Sequence, residues 1–312
     1  MRSRVLVSII AYLTGGLTAC AQQVRSDSFS PVLYTSEGSR HELKVFPLAG
    51  DAFNIPLPLA LGSLSFSPDG RALYGDRLFD AIMLLQQDPS RNGGVFKVQF
   101  DPVRVSLLPG SERLFPIYSL AVSAPKDRLV AIGFEPGGKK GMSSLLELNL
   151  KTGAVRTILD SFAPMADRTI YAANLSLSPD ALQAAVSYNN RVEIIDIRSG
   201  ATRLLEAGTE AASWSPDGRW LAVSKGGKTI LLDSSTLRQN RSLGTTLLKW
   251  SPDSRYLLNR KSELRCGLSE FGTLEIVDVQ TGERTEIHSS NCLVDRDTLG
   301  WLSVAGVNHP GW

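Results

Sequence analysis

Apolar and polar positions alternate in short runs along most of this chain, and the runs come in pairs. Val192-Glu193-Ile194-Ile195-Asp196-Ile197 passes through Ser199-Gly200 into Thr202-Arg203-Leu204-Leu205. Leu274-Glu275-Ile276-Val277-Asp278-Val279 passes through Thr281-Gly282 into Thr285-Glu286-Ile287. Leu146-Glu147-Leu148-Asn149-Leu150 does the same through Thr152-Gly153 into Val155-Arg156-Thr157-Ile158. Alternation of this kind marks half-buried strands, and a glycine between two of them marks a hairpin. Ile230-Leu231-Leu232-Asp233 repeats the first half, but Ser234-Ser235 follows it without a glycine.

Each pair is preceded by a recurring phrase. It reads Leu64-Ser65-Phe66-Ser67-Pro68-Asp69-Gly70-Arg71-Ala72-Leu73-Tyr74, and returns at Leu175–Asp180, Trp214–Val223 and Trp250–Leu258, with a degenerate copy at Leu120–Val130. Proline presets φ for a turn and Asp-Gly tolerates the left-handed backbone that turns require, so each phrase is a second hairpin. Its prolines fall at 68, 125, 179, 216 and 252.

Two hairpins make one four-stranded antiparallel sheet, which cannot bury both faces alone. Repetition at a few tens of residues stacks such sheets about an axis, which predicts an all-β fold, a β-propeller of four-stranded blades. Five copies give five blades. A sixth is assembled from strands at Val32–Thr35, His41–Phe46 and Ala52–Leu57, completed by Leu299–Val304 near the C-terminus. The reading is therefore a six-bladed propeller whose first blade is closed by the C-terminal strand. It divides the chain into residues 1–19, a linker 20–30, a propeller 31–306 and a tail 307–312.

The alternation of hairpins sorts the connections onto two faces. The Ser-Pro-Asp and Thr/Ser-Gly turns share one face and are short. The opposite face is expected to carry long, dissimilar loops at 75–94, 134–143, 160–171, 259–272 and 289–297. Insertions gathered on one face of a repeat protein mark a binding face. Cys266 and Cys292 fall in two of these loops within one blade, which favours a disulfide between them in an oxidising compartment. The loop-entropy argument puts such a staple at about 3 kcal/mol.

The N-terminus changes the compartment. Arg2 and Arg4 precede an uncharged run from Val5 to Ala19. That run is shorter than the roughly 20 residues a membrane-spanning helix needs, so residues 1–19 read as a signal peptide. Its exit, Leu17-Thr18-Ala19-Cys20, resembles the bacterial lipobox, which implies cleavage before Cys20 and a lipid on that residue. Ala21 in place of Asp then implies export to the outer membrane. Ala19-Cys20-Ala21 also fits ordinary signal peptidase, which would release a soluble protein; the complete lipobox match favours lipidation.

The 312-residue chain is 43% hydrophobic and 21% charged, enough apolar material for a large core. Its net charge is +2, and Arg2 and Arg4 account for that excess, so the mature chain is neutral. No basic run points to nucleic acid or to anionic lipid. The three histidines, His41, His288 and His309, stand in no ligand spacing, and no G-x-S-x-G elbow occurs. Gly133–Lys140 resembles a phosphate-binding loop but ends in lysine where Ser or Thr is required, and it lies between strands. Asp295 and Asp297 are too few for a calcium loop. Trp214, Trp220 and Trp250 belong to the repeat and read as core. No catalytic residue, metal ligand or cofactor is assigned.

The Ser-Pro-Asp-Gly-Arg-x-Leu-Ala pattern at 215–222 resembles the propeller repeat of the TolB family, related to WD repeats, and the resemblance extends over nearly all of 31–306. It implies a periplasmic docking platform. TolB members also carry an N-terminal α/β domain, for which the residues ahead of Val32 leave no room. The expectation is a monomeric, non-enzymatic platform, held at the outer membrane by lipid on Cys20 and binding another envelope protein through its long-loop face. The alternative is a propeller enzyme of lactonase or lyase type. It would need inward-facing Glu, Asp, Asn or His from several blades to hold a metal at the central channel.

Overall fold

The computed structural model describes residues 29–37, 40–47, 51–77, 94–100, 102–114, 117–133, 142–164, 174–188, 190–205, 208–243, 247–266, 269–290 and 299–303. They form six separate four-stranded antiparallel sheets. The first blade is β1 (Phe29–Glu37), β2 (Arg40–Val45) and β3 (Phe53–Leu57), with β24 (Leu299–Ser303) beside β1. The second is β4 (Leu61–Phe66), β5 (Ala72–Arg77), β6 (Val95–Phe100) and β7 (Val103–Leu107). The third is β8 (Ile117–Ser123), β9 (Arg128–Gly133), β10 (Met142–Asn149) and β11 (Val155–Pro164). The fourth is β12 (Asn174–Leu177), β13 (Gln183–Tyr188), β14 (Arg191–Asp196) and β15 (Thr202–Leu204). The fifth is β16 (Thr209–Trp214), β17 (Trp220–Lys225), β18 (Lys228–Asp233) and β19 (Gln239–Ser242). The sixth is β20 (Leu247–Trp250), β21 (Tyr256–Cys266), β22 (Ser269–Asp278) and β23 (Arg284–Ser290). The expected split blade is present: β24 pairs with β1 from Leu33↔Leu299 to Phe29↔Ser303.

The Ser-Pro-Asp turn closes through its side chains. In four blades the serine hydroxyl donates to the aspartate two residues on, at 2.5 to 2.6 Å for Ser67–Asp69, Ser178–Asp180, Ser215–Asp217 and Ser251–Asp253. The same oxygen accepts the amide of the residue five places on, Ala72, Gln183, Trp220 or Tyr256. The fourth position of the turn is left-handed in each: Gly70, Ala181, Gly218 and Ser254. The degenerate copy in the third blade turns through a 3-10 segment, Ala124–Lys126, without a capping bond from Ser123.

In the third to sixth blades the second turn is an Asx turn. Asn149, Asp196, Asp233 and Asp278 accept backbone amides two and three residues on. Four residues on comes a left-handed position, Gly153, Gly200, Leu237 or Gly282, whose amide returns to the carbonyl of that Asn or Asp. The turn at Ser234-Ser235 therefore closes like the others, with Leu237 at φ 55° in the glycine's place. The Ser235 hydroxyl and the Thr236 amide hold the Asp233 carboxyl down at about 2.

The core lies between blades. Leu175, Val186 and Ile195 of the fourth blade pack on Val130, Ile132 and Leu145 of the third. Val32, Leu43 and Leu302 of the first pack on Leu64, Leu73 and Val98 of the second. This is what stacking is expected to do: each sheet hides its apolar positions against its neighbour.

Polar ties cross the same junctions. Glu147, 8% exposed, lies between Arg128 and Arg156, with both guanidinium contacts at 2.5 Å. Both arginines also donate into the fourth blade, Arg128 to the Ala181 carbonyl and Arg156 to the Ile197 carbonyl. Arg241 of the fifth blade likewise donates to the Val279 and Gln280 carbonyls of the sixth. At the rim between the second and third blades, Gly110 and Gly153 meet backbone to backbone; a Cβ on Gly110 would stand 2.0 Å from the Gly153 carbonyl oxygen.

All five expected loops overlap strand at their ends, two of them extensively. Residues 259–266 and 269–272 form the far end of the β21–β22 ladder, which runs to Cys266↔Ser269. No glycine or proline interrupts the chain between Ser254 and Cys266, so nothing stops the strand. β11 likewise runs through Asp160 to Pro164.

Candidate functional site: the central cavity and the two faces

A cavity of about 250 Å³ lies on the axis, at the end ringed by Pro68, Pro125, Pro179, Pro216 and Pro252. It therefore belongs to the short-turn face. All six innermost strands, β4, β8, β12, β16, β20 and β24, line it.

One residue from each blade stands at the corresponding place in this wall: Ser65, Ala121, Ser176, Ser213, Lys249 and Gly300. Each immediately precedes the apolar residue of the phrase or its counterpart, namely Phe66, Val122, Leu177, Trp214, Trp250 and Trp301. Contacts between neighbouring blades establish the equivalence. The Trp250 indole Nε1 donates to the Ser213 carbonyl at 3.0 Å, and the Trp301 Nε1 donates to the Lys249 carbonyl at 3.3 Å. The Trp214 amide donates to the Ser176 hydroxyl at 3.0 Å. The Phe66 ring covers Gly300, where a Cβ would meet Cδ2 at 2.0 Å. Phe66, Trp250 and Trp301 thus meet the ring residue of the blade before them through their side chains, and Trp214 through its backbone amide.

Trp214 and Trp250 are buried, each 7% exposed, as expected of repeat residues. They are also cavity walls, which the repeat pattern alone does not reveal. The buried Trp214 Nε1 has no hydrogen-bond partner among the described residues. Of the residue types that a channel metal site would require, the lining includes Asn174 only, among the described residues.

Asp76, at the other end of the second blade, is 7% exposed. Burial pushes its carboxyl up from about 3.8 to about 7, against a backbone bond from Ser63 that lowers it. Its Oδ1 has no partner among the described residues. A Cβ on Gly62 would stand 2.6 Å from that oxygen, so only glycine leaves room for it. The repeat phrase gave no hint of this carboxyl, because serine stands at the corresponding places in the fourth and fifth blades, Ser187 and Ser224.

The long-loop face is legible in the connections. β5 ends at Arg77 and β6 begins at Val95; β9 ends at Gly133 and β10 begins at Met142. β11 ends at Pro164 before Asn174, and β23 ends at Ser290 before Leu299. By contrast β13 and β14 are separated only by 189–190, and β17 and β18 only by Gly226-Gly227. Cys20, Cys292, Asp295, Asp297 and His309 lie outside the described residues, as do the side chains of Cys266 and His288. His41 lies on β2 and is half-buried.

This architecture defines a closed six-bladed β-propeller. Its likeness to solved structures is correspondingly broad. TolB from Acinetobacter baumannii superposes with a TM-score of 0.63 at 15% identity, covering 91% of this chain and 70% of that one. A chain of a nidogen/laminin complex gives 0.54 at 8% identity, covering 88% and 97%. A TolB candidate from Agrobacterium tumefaciens gives 0.52 at 13% identity, covering 84% and 89%. No family model and no curated protein matches the sequence. In fold, the chain is a TolB-like propeller.

Proposed function

We propose that this protein is a binding platform of the bacterial cell envelope, tethered by lipid on Cys20 and engaging a protein partner through its long-loop face. The observation that carries the reading is the asymmetry of the two faces. On one, four of the Ser-Pro-Asp turns are built alike and closed by their own serine and aspartate side chains. On the other, connections differ from blade to blade and the extended ones belong to the second, third and sixth blades and the ring closure. A repeat protein that varies one face while holding the other constant presents the variable face to a partner.

The path of the chain supports the same orientation. β1 starts at Phe29 opposite Ser303, and Ser303 donates its amide to the Gly70 carbonyl in a Ser-Pro-Asp turn. The segment that leads back to Cys20 therefore joins the propeller at the short-turn face. A lipid there turns the long-loop face away from the membrane, within a tether of roughly 30 Å for nine extended residues. A disulfide between Cys266 and Cys292 belongs to this reading, as does assembly as a monomer.

The test uses intact cells expressing the tagged chain, the Cys20→Ser variant and a chain with 78–93 replaced by a short glycine linker. The reading expects metabolic labelling with a fatty acid on wild type only, and one dominant envelope crosslink lost on loop replacement. A crosslink that survives replacement of every long loop rejects the face; unlabelled wild type rejects the tether.

A further inference from the structure

We propose that the axial cavity on the short-turn face is a binding site for a monocarboxylate, whose anionic group is held by the Lys249 ammonium and whose body lies against the tryptophan wall. This site is separate from the long-loop face and does not depend on its partner.

The ring of six corresponding residues carries the argument. Five are small or hydroxylic: Ser65, Ala121, Ser176, Ser213 and Gly300. The sixth is a lysine. Lys249 is the single cationic residue of the cavity lining among the described residues. Lys249 is half-buried and forms no ion pair among the described residues. An ammonium on an apolar wall is costly unless it meets an anion or water.

The remaining donors point to the same charge. The hydroxyls of Ser65 and Ser213, both in the cavity lining, make no hydrogen bond within the protein among the described residues. An acceptor-rich group in the bore satisfies ammonium and hydroxyls together, and charge-assisted bonds of this type are the strong ones.

The mouth restricts the ligand further. Asp69, Asp180, Asp217 and Asp253 each follow one of the ringing prolines. These acidic side chains are engaged by their own turns, one residue along the chain from the proline ring. A polyanion is repelled there, whereas a single carboxylate on an apolar body meets one cation inside. The volume of about 250 Å³ admits a ring or a short chain, and the walls supplied by Trp214, Trp250 and Trp301 suit an aromatic or aliphatic body.

Benzoate, neutral benzamide and inorganic sulfate serve as probes on the purified chain, read by tryptophan emission and by amide chemical shifts. Benzoate is expected to shift both saturably, with affinity reduced at least ten-fold in Lys249→Met and retained within about three-fold in Lys249→Arg. Ser213→Ala, which removes one of the two hydroxyls, is expected to weaken binding a few-fold, and thermal melts establish that each variant is folded. Benzamide and sulfate are expected to bind at least ten-fold more weakly. Equal binding of benzoate and benzamide, stronger binding of sulfate, no effect of Lys249→Met, or no saturable response to benzoate would each overturn the assignment.

Discussion

The aromatic ring of Phe66 occupies the space that a side chain on Gly300 would fill, with Cδ2 only 2.0 Å from the position of its Cβ. Phe66 belongs to the second blade and Gly300 to the closing strand of the first. Gly300→Ala therefore overpacks the closure, at a cost of about 1–3 kcal/mol. Urea unfolding is expected to show this loss, and Phe66→Leu in the same chain to recover part of it. Simple additivity of the two changes would show that the ring and the glycine are not coupled.

Glu147 is the hinge pin between the third and fourth blades. Glu147→Gln leaves Arg128 and Arg156 without their shared carboxylate while both still face carbonyls of the next blade. Loss of a buried partner costs up to about 3–5 kcal/mol, and the partial exposure of the two arginines reduces this to roughly 1–3 kcal/mol. Replacing Glu42, which pairs with the exposed Arg40, is expected to change the unfolding midpoint by less than about 0.5 kcal/mol.

Asp76 sets a pH dependence of definite sign. Burial raises its folded-state value to about 7, so the native chain holds the proton at acidities where the unfolded chain has already lost it. Stability contributed by this group is greatest at low pH and declines as pH rises through about 4 to 7. Asp76→Asn is therefore expected to stabilise by a few kcal/mol at pH 8 and by little at pH 4. Thermal melts of the two proteins across that range check it; a difference independent of pH would show that Asp76 titrates normally.

The Ser-Pro-Asp serines are expected to differ from their degenerate counterpart. Ser215→Ala removes a hydroxyl that both donates to Asp217 and accepts from Trp220, and is expected to cost about 1–2 kcal/mol. Ser123→Ala, in the turn without that pair, is expected to cost less than about 0.5 kcal/mol. Denaturant midpoints of the two variants give the comparison.

Architecture was legible because a blade is a local unit. Each hairpin writes its own signature, as in Trp214–Val223, and five signatures give five of the six blades. Even the divided blade could be read, since Leu299–Ser303 alternates with no partner nearby in the chain. What could not be read is what happens between blades. Nothing in the phrase says that Trp250 bonds the carbonyl of Ser213, or that Lys249 shares a ring with Ser65 and Ala121, because such neighbours are set by rotation about the axis. The extended β21–β22 ladder was missed because its polar residues, such as Lys261 and Glu263, read as loop.

The pairing of Phe29 with Ser303 has a further consequence. A linear array of repeats frays from its ends, one unit at a time. Here neither end is terminal in space: the last strand is hydrogen-bonded to the first, and its final amide is held by Gly70 in the next blade. The ring consequently has no privileged starting point. A short linker from Ser303 to Phe29, with new ends opened between Gly226 and Gly227, produces a circular permutant with every blade contact intact. Such a chain would make the order of translation, rather than the folded object, the thing that has changed.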